Sequence, residues 1–398
     1  MKYIVILGDG MADEPLVQLG GKTPLEYAKT PVMDDLAGKG EMGLVKTVPD
    51  AMKPGSDVAN LAVLGYDPTC NYSGRSPLEA LSVGVDMAED DVVFRSNIVT
   101  LTEETPFEQK TILDHSSGEI STEDADILID TVRQNLSTEE FSFFTGTSYR
   151  HILVWKHGKV LDMAQPHDHL GQKIGPYLPQ HPAFRDMMEK SFSLLNTHPL
   201  NKKRQEQGVN KANSLWFWGA GTKPSLANFT QKTGKIGAMI SAVDLLKGIA
   251  VGAGMSVVDV PGATGGLHTN YEGKAQAAVR AVLEDGCDFA YVHVEAPDEM
   301  GHQGNMHHKI QAIENIDEKI IGTILARMDQ SGEDYRMLIL PDHPTPLRIR
   351  THTANPVPYI LFDSRYRTKK IGVFNENEAA ASGNFVEKGH TLLDTLIG

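Results

Sequence analysis

Residues 341–346 read PDHPTP and follow the apolar run RMLIL. An Asp and a His side by side at the end of a buried strand are costly to desolvate unless something neutralises them. The same residue types recur at similar boundaries elsewhere. Asp9 closes the run KYIVILG in a Gly-Asp-Gly turn, and DFAYVHVEAP runs into Asp298 with His302 four residues later. The loop RTHTANP adds His352. Carboxylate oxygen and imidazole nitrogen together suit zinc, manganese or a related divalent ion. Singly, each residue is explained as well by a turn, a cap or a surface pair. Their recurrence at successive strand ends argues for one shared centre.

Ser56, in KPGSDVANLAVLG, reads as a helix N-cap with apolar residues behind it at helical spacing. A hydroxyl there sits in positive potential beside unbonded backbone N–H groups. A metal ion beside it would stabilise its alkoxide and make it a nucleophile toward phosphorus. A serine at a helix start is far more often a plain cap, so spacing alone does not decide.

Such residues need a rigid frame. KYIVILGDG reads as a buried strand closed by turn residues, and Pro31 and Gly40 bracket a helix in the expected sense. SPLEALSVG reads as a capping box, with Ser76 as cap and Glu79 at its third helical position. From about residue 213 onward helices and strands alternate, which implies a mostly parallel sheet covered on both faces. Between lie strand-like VVFRSNIVTL, FSFFTG and RHILVWK, the helical EDADILIDTVRQNL, and a charged, linker-like NKKRQEQGVNK. The expected architecture is an α/β domain, residues 1–69 plus 211–398, interrupted by an α+β insert at 70–210. In open α/β sheets ligands bind beyond the carboxyl ends of the strands, which is where the candidate ligands fall.

The 398 residues are enough for two cores, and the formal net charge of −15 argues against nucleic acid or an anionic membrane as partner. An anionic substrate stays compatible, because bound cations reverse the local field. Two cysteines outside any C-x-x-C pair argue against a disulfide scaffold, and no apolar run approaches a membrane span. A cytoplasmic location is expected. GGKT at 20–23 suggests a phosphate loop, but Leu16 stands where that pattern needs Gly. The MHHK at 306–309 reads as a solvated helix start.

The ordered stretches ILGDGMAD, KPGSDVANLAVLGYDP, APDEMGHQGN, LPDHPTP and THTANPVP resemble the alkaline phosphatase-like metalloenzymes. More closely they resemble the archaeal-type, cofactor-independent phosphoglycerate mutases. GRSPLEALSVGV, FRSNIVT, TSYRHILVW and ANSLWFWGAG carry the resemblance through the insert. It implies an enzyme that interconverts 3-phosphoglycerate and 2-phosphoglycerate without 2,3-bisphosphoglycerate, through a phosphoserine at Ser56. It implies two divalent ions, with manganese, zinc, magnesium and cobalt all open. Asp9, Ser56, Asp342 and His343 would surround one ion, and Asp298, His302 and His352 the other. The small phosphorylated substrate would be held by Arg75, Arg95, Asn97, Arg150, His151 and Lys235. The insert would close over the site and exclude water. Rival expectations are a homoserine kinase-like phosphotransferase, a plain phosphomonoesterase, and a metal-dependent binding protein with a vestigial site.

Overall fold

A computed structural model describes residues 1–366 and 372–398. Its strands are β1 (Lys2–Gly8), β2 (Glu41–Val45), β3 (Val92–Leu101), β4 (Ile112–Asp114), β5 (Phe141–Thr147), β6 (Arg150–Trp155) and β7 (Ser214–Thr222). They continue with β8 (Gly237–Ile240), β9 (Ser256–Val257), β10 (Phe289–Val294), β11 (Tyr335–Leu340), β12 (Val357–Asp363) and β13 (Phe385–Val386). The chain divides into two compact units, Met1–Tyr72 with Ser225–Gly398, and Ser73–Pro224.

The first unit holds a sheet in the order β13-β2-β12-β11-β1-β10-β8-β9. The strands β11, β1, β10, β8 and β9 run parallel, whereas β12 is antiparallel to both β11 and β2. In β1 every residue from Tyr3 to Gly8 is buried, and β10 is buried throughout, as strands covered on both faces must be. Helices such as Tyr271–Leu283 and the Ile316, Ile320 and Ile324 ridge complete this core. Register matters for chemistry here. Gly8 pairs with Val294 and Leu7 with Leu340, so β1, β10 and β11 end side by side.

The second unit is an antiparallel sheet in which β3 pairs with β6, β7 and β4. Its other main strand pair is β5 with β6. The helices Thr122–Leu136 and Pro182–Leu195 supply core residues such as Leu128, Val132, Phe184 and Met188, which pack with Phe94, Leu153 and Phe217 of the sheet.

Three local expectations are corrected. The insert runs to Pro224 and not to 210, because Ser214–Thr222 forms β7 along β3. The supposed linker contains the helix Pro199–Glu206, whose buried Asn201 bonds to Leu195 O and Ala212 O at 2.9 and 2.8 Å. The capping box at Ser76 does not form. That helix starts at Arg75 behind Gly74, whose φ of 137° is a glycine conformation, and Ser76 Oγ donates to Gly219 O instead.

Candidate active site at the carboxyl ends of the strands

Asp9 follows β1 directly, and its Oδ2 lies 2.9 Å from Nε2 of His293 on β10. Its Oδ1 is buried and has no hydrogen-bond partner among the described residues. Burial, then the charges of Asp342, Asp298 and Glu295, push the Asp9 carboxyl well above the ordinary carboxylate range. Asp342, just beyond β11, accepts at Oδ1 from Gly10 N (3.0 Å) and His343 N (2.8 Å). Its Oδ2 accepts from Asn60 Nδ2 at 3.0 Å. His343 is fully buried, and its Nε2 lies 3.4 Å from Asp342 Oδ2 and 3.7 Å from Asp9 Oδ1.

Ser56 is the first residue of the helix Ser56–Val63, one position inside the expected cap, which is Gly55. Its Oγ lies 3.2 Å from His343 Nε2, its one hydrogen-bond contact among the described residues. The hydroxyl is therefore directed at the Asp9–Asp342–His343 group. Asn60, one turn later, ties the two together by donating also to Ser56 O at 2.8 Å, while Tyr291 OH holds its amide oxygen at 2.6 Å.

A second group stands beside the first. Asp298 lies in the short helix Ala296–His302 after β10. Its Oδ2 is 3.1 Å from His302 Nε2 and its Oδ1 3.4 Å from His352 Nε2. The two imidazole Nε2 atoms face each other at 2.9 Å. His302 Nδ1 donates to Arg350 O at 3.0 Å, which leaves Nε2 as the atom turned inward. Burial raises the Asp298 carboxyl, but hydrogen bonds from His302 and His352 outweigh it and hold the group well below its usual range. The same hydrogen bond to Asp298 lifts His302 to about 9.

The donor set fits divalent ions. Ligand atoms of Asp9, Asp342 and His343 lie within 4.8 Å of one another, as do those of Asp298, His343 and His352. The buried Asp9 Oδ1, without a hydrogen-bond partner among the described residues, and the convergence of the His302 and His352 Nε2 atoms on Asp298 suit a bound cation.

The expected substrate residues are brought together only in part. On the insert, Arg95 Nε and Nη2 fork onto Glu79 at 2.9 and 2.5 Å, and Arg75 Nε reaches the same carboxylate at 2.9 Å. The Arg95 guanidinium lies 4.9 Å from the Trp218 ring, whose Nε1 donates to Asn97 Oδ1 at 3.1 Å. Arg150 sits opposite Asn97 on β6 and has no carboxylate partner among the described residues. These four residues thus share one face. His151 does not join them: as the next residue on β6 it faces Ser96, on the other side of the sheet. There burial pushes its imidazole down to about 3. Lys235 precedes β8, and its Nζ lies 5.1 Å over the Tyr3 ring, at the amino ends of the strands. It is at the wrong end of the sheet for the ligand set.

His293, Asn60 and Thr345 are site residues that the spacing does not reveal. An imidazole inside the otherwise apolar β10 is the one signal of the three visible in sequence.

The sequence profile described as 2,3-bisphosphoglycerate-independent phosphoglycerate mutase matches residues 37–201. A probable 2,3-bisphosphoglycerate-independent phosphoglycerate mutase of Geobacter sulfurreducens is 48% identical, with 100% of both chains covered. One from Methanosarcina mazei is 46% identical over 100% of both chains. A solved structure of a Pyrococcus horikoshii protein superposes with a TM-score of 0.82 at 31% identity, covering 100% of this chain and 96% of that one.

Proposed function

The chain belongs to the 2,3-bisphosphoglycerate-independent phosphoglycerate mutase family, and from that premise we propose that Ser56 carries the phosphoryl group between the two oxygens of glycerate. The enzyme is an isomerase acting on 3-phosphoglycerate and 2-phosphoglycerate. The observation that carries the role of Ser56 is its position: a hydroxyl at a helix N-terminus, 3.2 Å from His343 Nε2 and aimed at a carboxylate–imidazole group.

Ser56 Oγ gives up its proton and attacks phosphorus, the bond from phosphorus to the C3 oxygen breaks, and the glycerate C3 oxygen takes a proton in exchange. The C2 hydroxyl then attacks phosphorus, loses its proton, and returns Ser56 as a hydroxyl. The amides of Ser56 and Asp57 at the start of the Ser56 helix would face the phosphoryl oxygens, as amides at helix starts do toward anions, whereas the Val58 amide is taken by Asp57 Oδ1 at 2.9 Å. Asp9, Asp342, His343 and Ser56 would hold one divalent ion, and Asp298, His302 and His352 the other. Such ions supply charge neutralisation for the phosphoryl oxygens and lower the pKa of an attacking hydroxyl. Asn60 and His293 orient Asp342 and Asp9. Arg75, Arg95, Asn97 and Arg150 give the insert a cationic, hydrogen-bonding face of the kind a phosphoglycerate requires.

The test is product partition. Purified enzyme with manganese should convert 3-phosphoglycerate to 2-phosphoglycerate, read by coupled enolase, with little free phosphate. Stoichiometric phosphate release would make it a phosphomonoesterase instead. Turnover of homoserine with ATP, and none of phosphoglycerate, would keep the site and change the substrate.

A further inference from the structure

One side chain touches both candidate ion groups, and it belongs to neither. We infer that Thr345 is a positioning residue that fixes the carboxylate of Asp298 and the tautomer of His343 at once. This rests on the two-ion reading of the site.

Thr345 is fully buried, in the loop after β11. Its Oγ1 donates to Asp298 Oδ1, and lies 3.3 Å from His343 Nδ1. A hydroxyl has a single proton. With that proton given to Asp298, Oγ1 faces His343 as an acceptor, so the imidazole carries its proton on Nδ1. Nε2 is then bare, and it is Nε2 that lies 3.2 Å from Ser56 Oγ and 3.4 Å from Asp342 Oδ2. The hydroxyl thus aims one residue of each group.

The surroundings are shaped to hold this side chain. Thr345 N donates to Ala12 O at 3.2 Å. Thr345 O accepts from Lys309 Nζ at 2.8 Å. Lys309, fully buried, also binds Asp13 Oδ2 at 2.7 Å, so it clamps the loop after β1 to the loop after β11. Space is reserved from two further directions. A Cβ on Gly10, whose φ is 59°, would stand 2.5 Å from Thr345 Oγ1 and 2.6 Å from Asp298 Oδ1. A Cβ on Gly301 would stand 2.8 Å from Thr345 Cγ2. Two glycines on separate elements therefore leave room for the same side chain, one beside its hydroxyl and one beside its methyl.

Thr345→Val keeps the shape and removes the hydroxyl, while Thr345→Ser keeps the hydroxyl. Manganese binding to full-length protein is measured by titration calorimetry, with thermal unfolding of the metal-free proteins as the fold control. Thr345→Val should bind manganese about 10- to 100-fold more weakly than wild type, the usual cost of losing a partner behind a metal ligand. Thr345→Ser should restore binding, which a purely space-filling role would not predict. If Thr345→Val does not fold, Thr345→Ala, which only removes atoms, carries the comparison. Wild-type affinity in the hydroxyl-free variant, or no rescue by serine, overturns the inference while leaving the ion site standing. A wild type that binds no manganese overturns both.

Discussion

Ser56 is set by its neighbours more than by its helix. Asn60 sits one turn on and donates to both Ser56 O and Asp342 Oδ2, so nucleophile and carboxylate move as one piece. Ser56→Ala should abolish turnover and leave no phosphoenzyme, checked by rapid quench with labelled 3-phosphoglycerate and by intact mass. Stability should change by no more than about 0.5 kcal/mol, because the hydroxyl has one hydrogen-bond contact among the described residues, to His343. That Asp9, Asp298, Asp342 and His343 gather in one place was legible in the sequence, because each stands where an apolar run breaks and a parallel sheet turns such breaks into neighbours. His293 lies within a strand and not at a break, so its one mark is an imidazole in an apolar run, and its contact with Asp9 follows only from register. His151 and Lys235 lie away from their expected companions for simple geometric reasons, the parity of a strand and the end of a sheet. Local sequence carries neither until register is known.

Among the elements, the segment Ile316–Gly322 is a π-helical stretch between the helices Met306–Asn315 and Thr323–Ser331. The wider winding leaves no mark in the sequence pattern. Asp317 in the π turn accepts from Met33 N at 2.7 Å and Val32 N at 3.2 Å. It thereby caps the helix Pro31–Lys39, whose own Thr30 makes no capping bond. Burial pushes the Asp317 carboxyl up to about 6. Because the folded-state value is raised, ionisation of Asp317 opposes folding. Its contribution is most favourable below the usual carboxylate pKa of about 4, declines as pH rises toward 6, and is flat beyond. Asp317→Asn should remove that slope. Denaturant unfolding across this window, taken as wild type minus variant, measures it, and a difference that does not vary with pH would discount the charge.

For the whole molecule, every proposed ion ligand lies in the unit Met1–Tyr72 with Ser225–Gly398. Ions that bind only the folded form stabilise it by mass action, by about 2.7 kcal/mol at a hundredfold excess over Kd. Adding manganese to chelator-treated protein should raise Tm, and amide exchange should slow in peptides of this unit more than in those of 73–224. Equal protection in both units would contradict the assignment. The strand order has a further consequence, for synthesis. β1 is made first, yet both of its neighbours, β10 and β11, come from the last third of the chain. On a ribosome adding about 5–20 residues per second, β1 waits on the order of 15–60 s with both edges unpaired. The insert, continuous from Ser73 to Pro224, can close during that wait. The nascent chain can thus complete its second unit before its first, with a strand destined to be buried from Tyr3 to Gly8 in need of shelter from neighbouring chains.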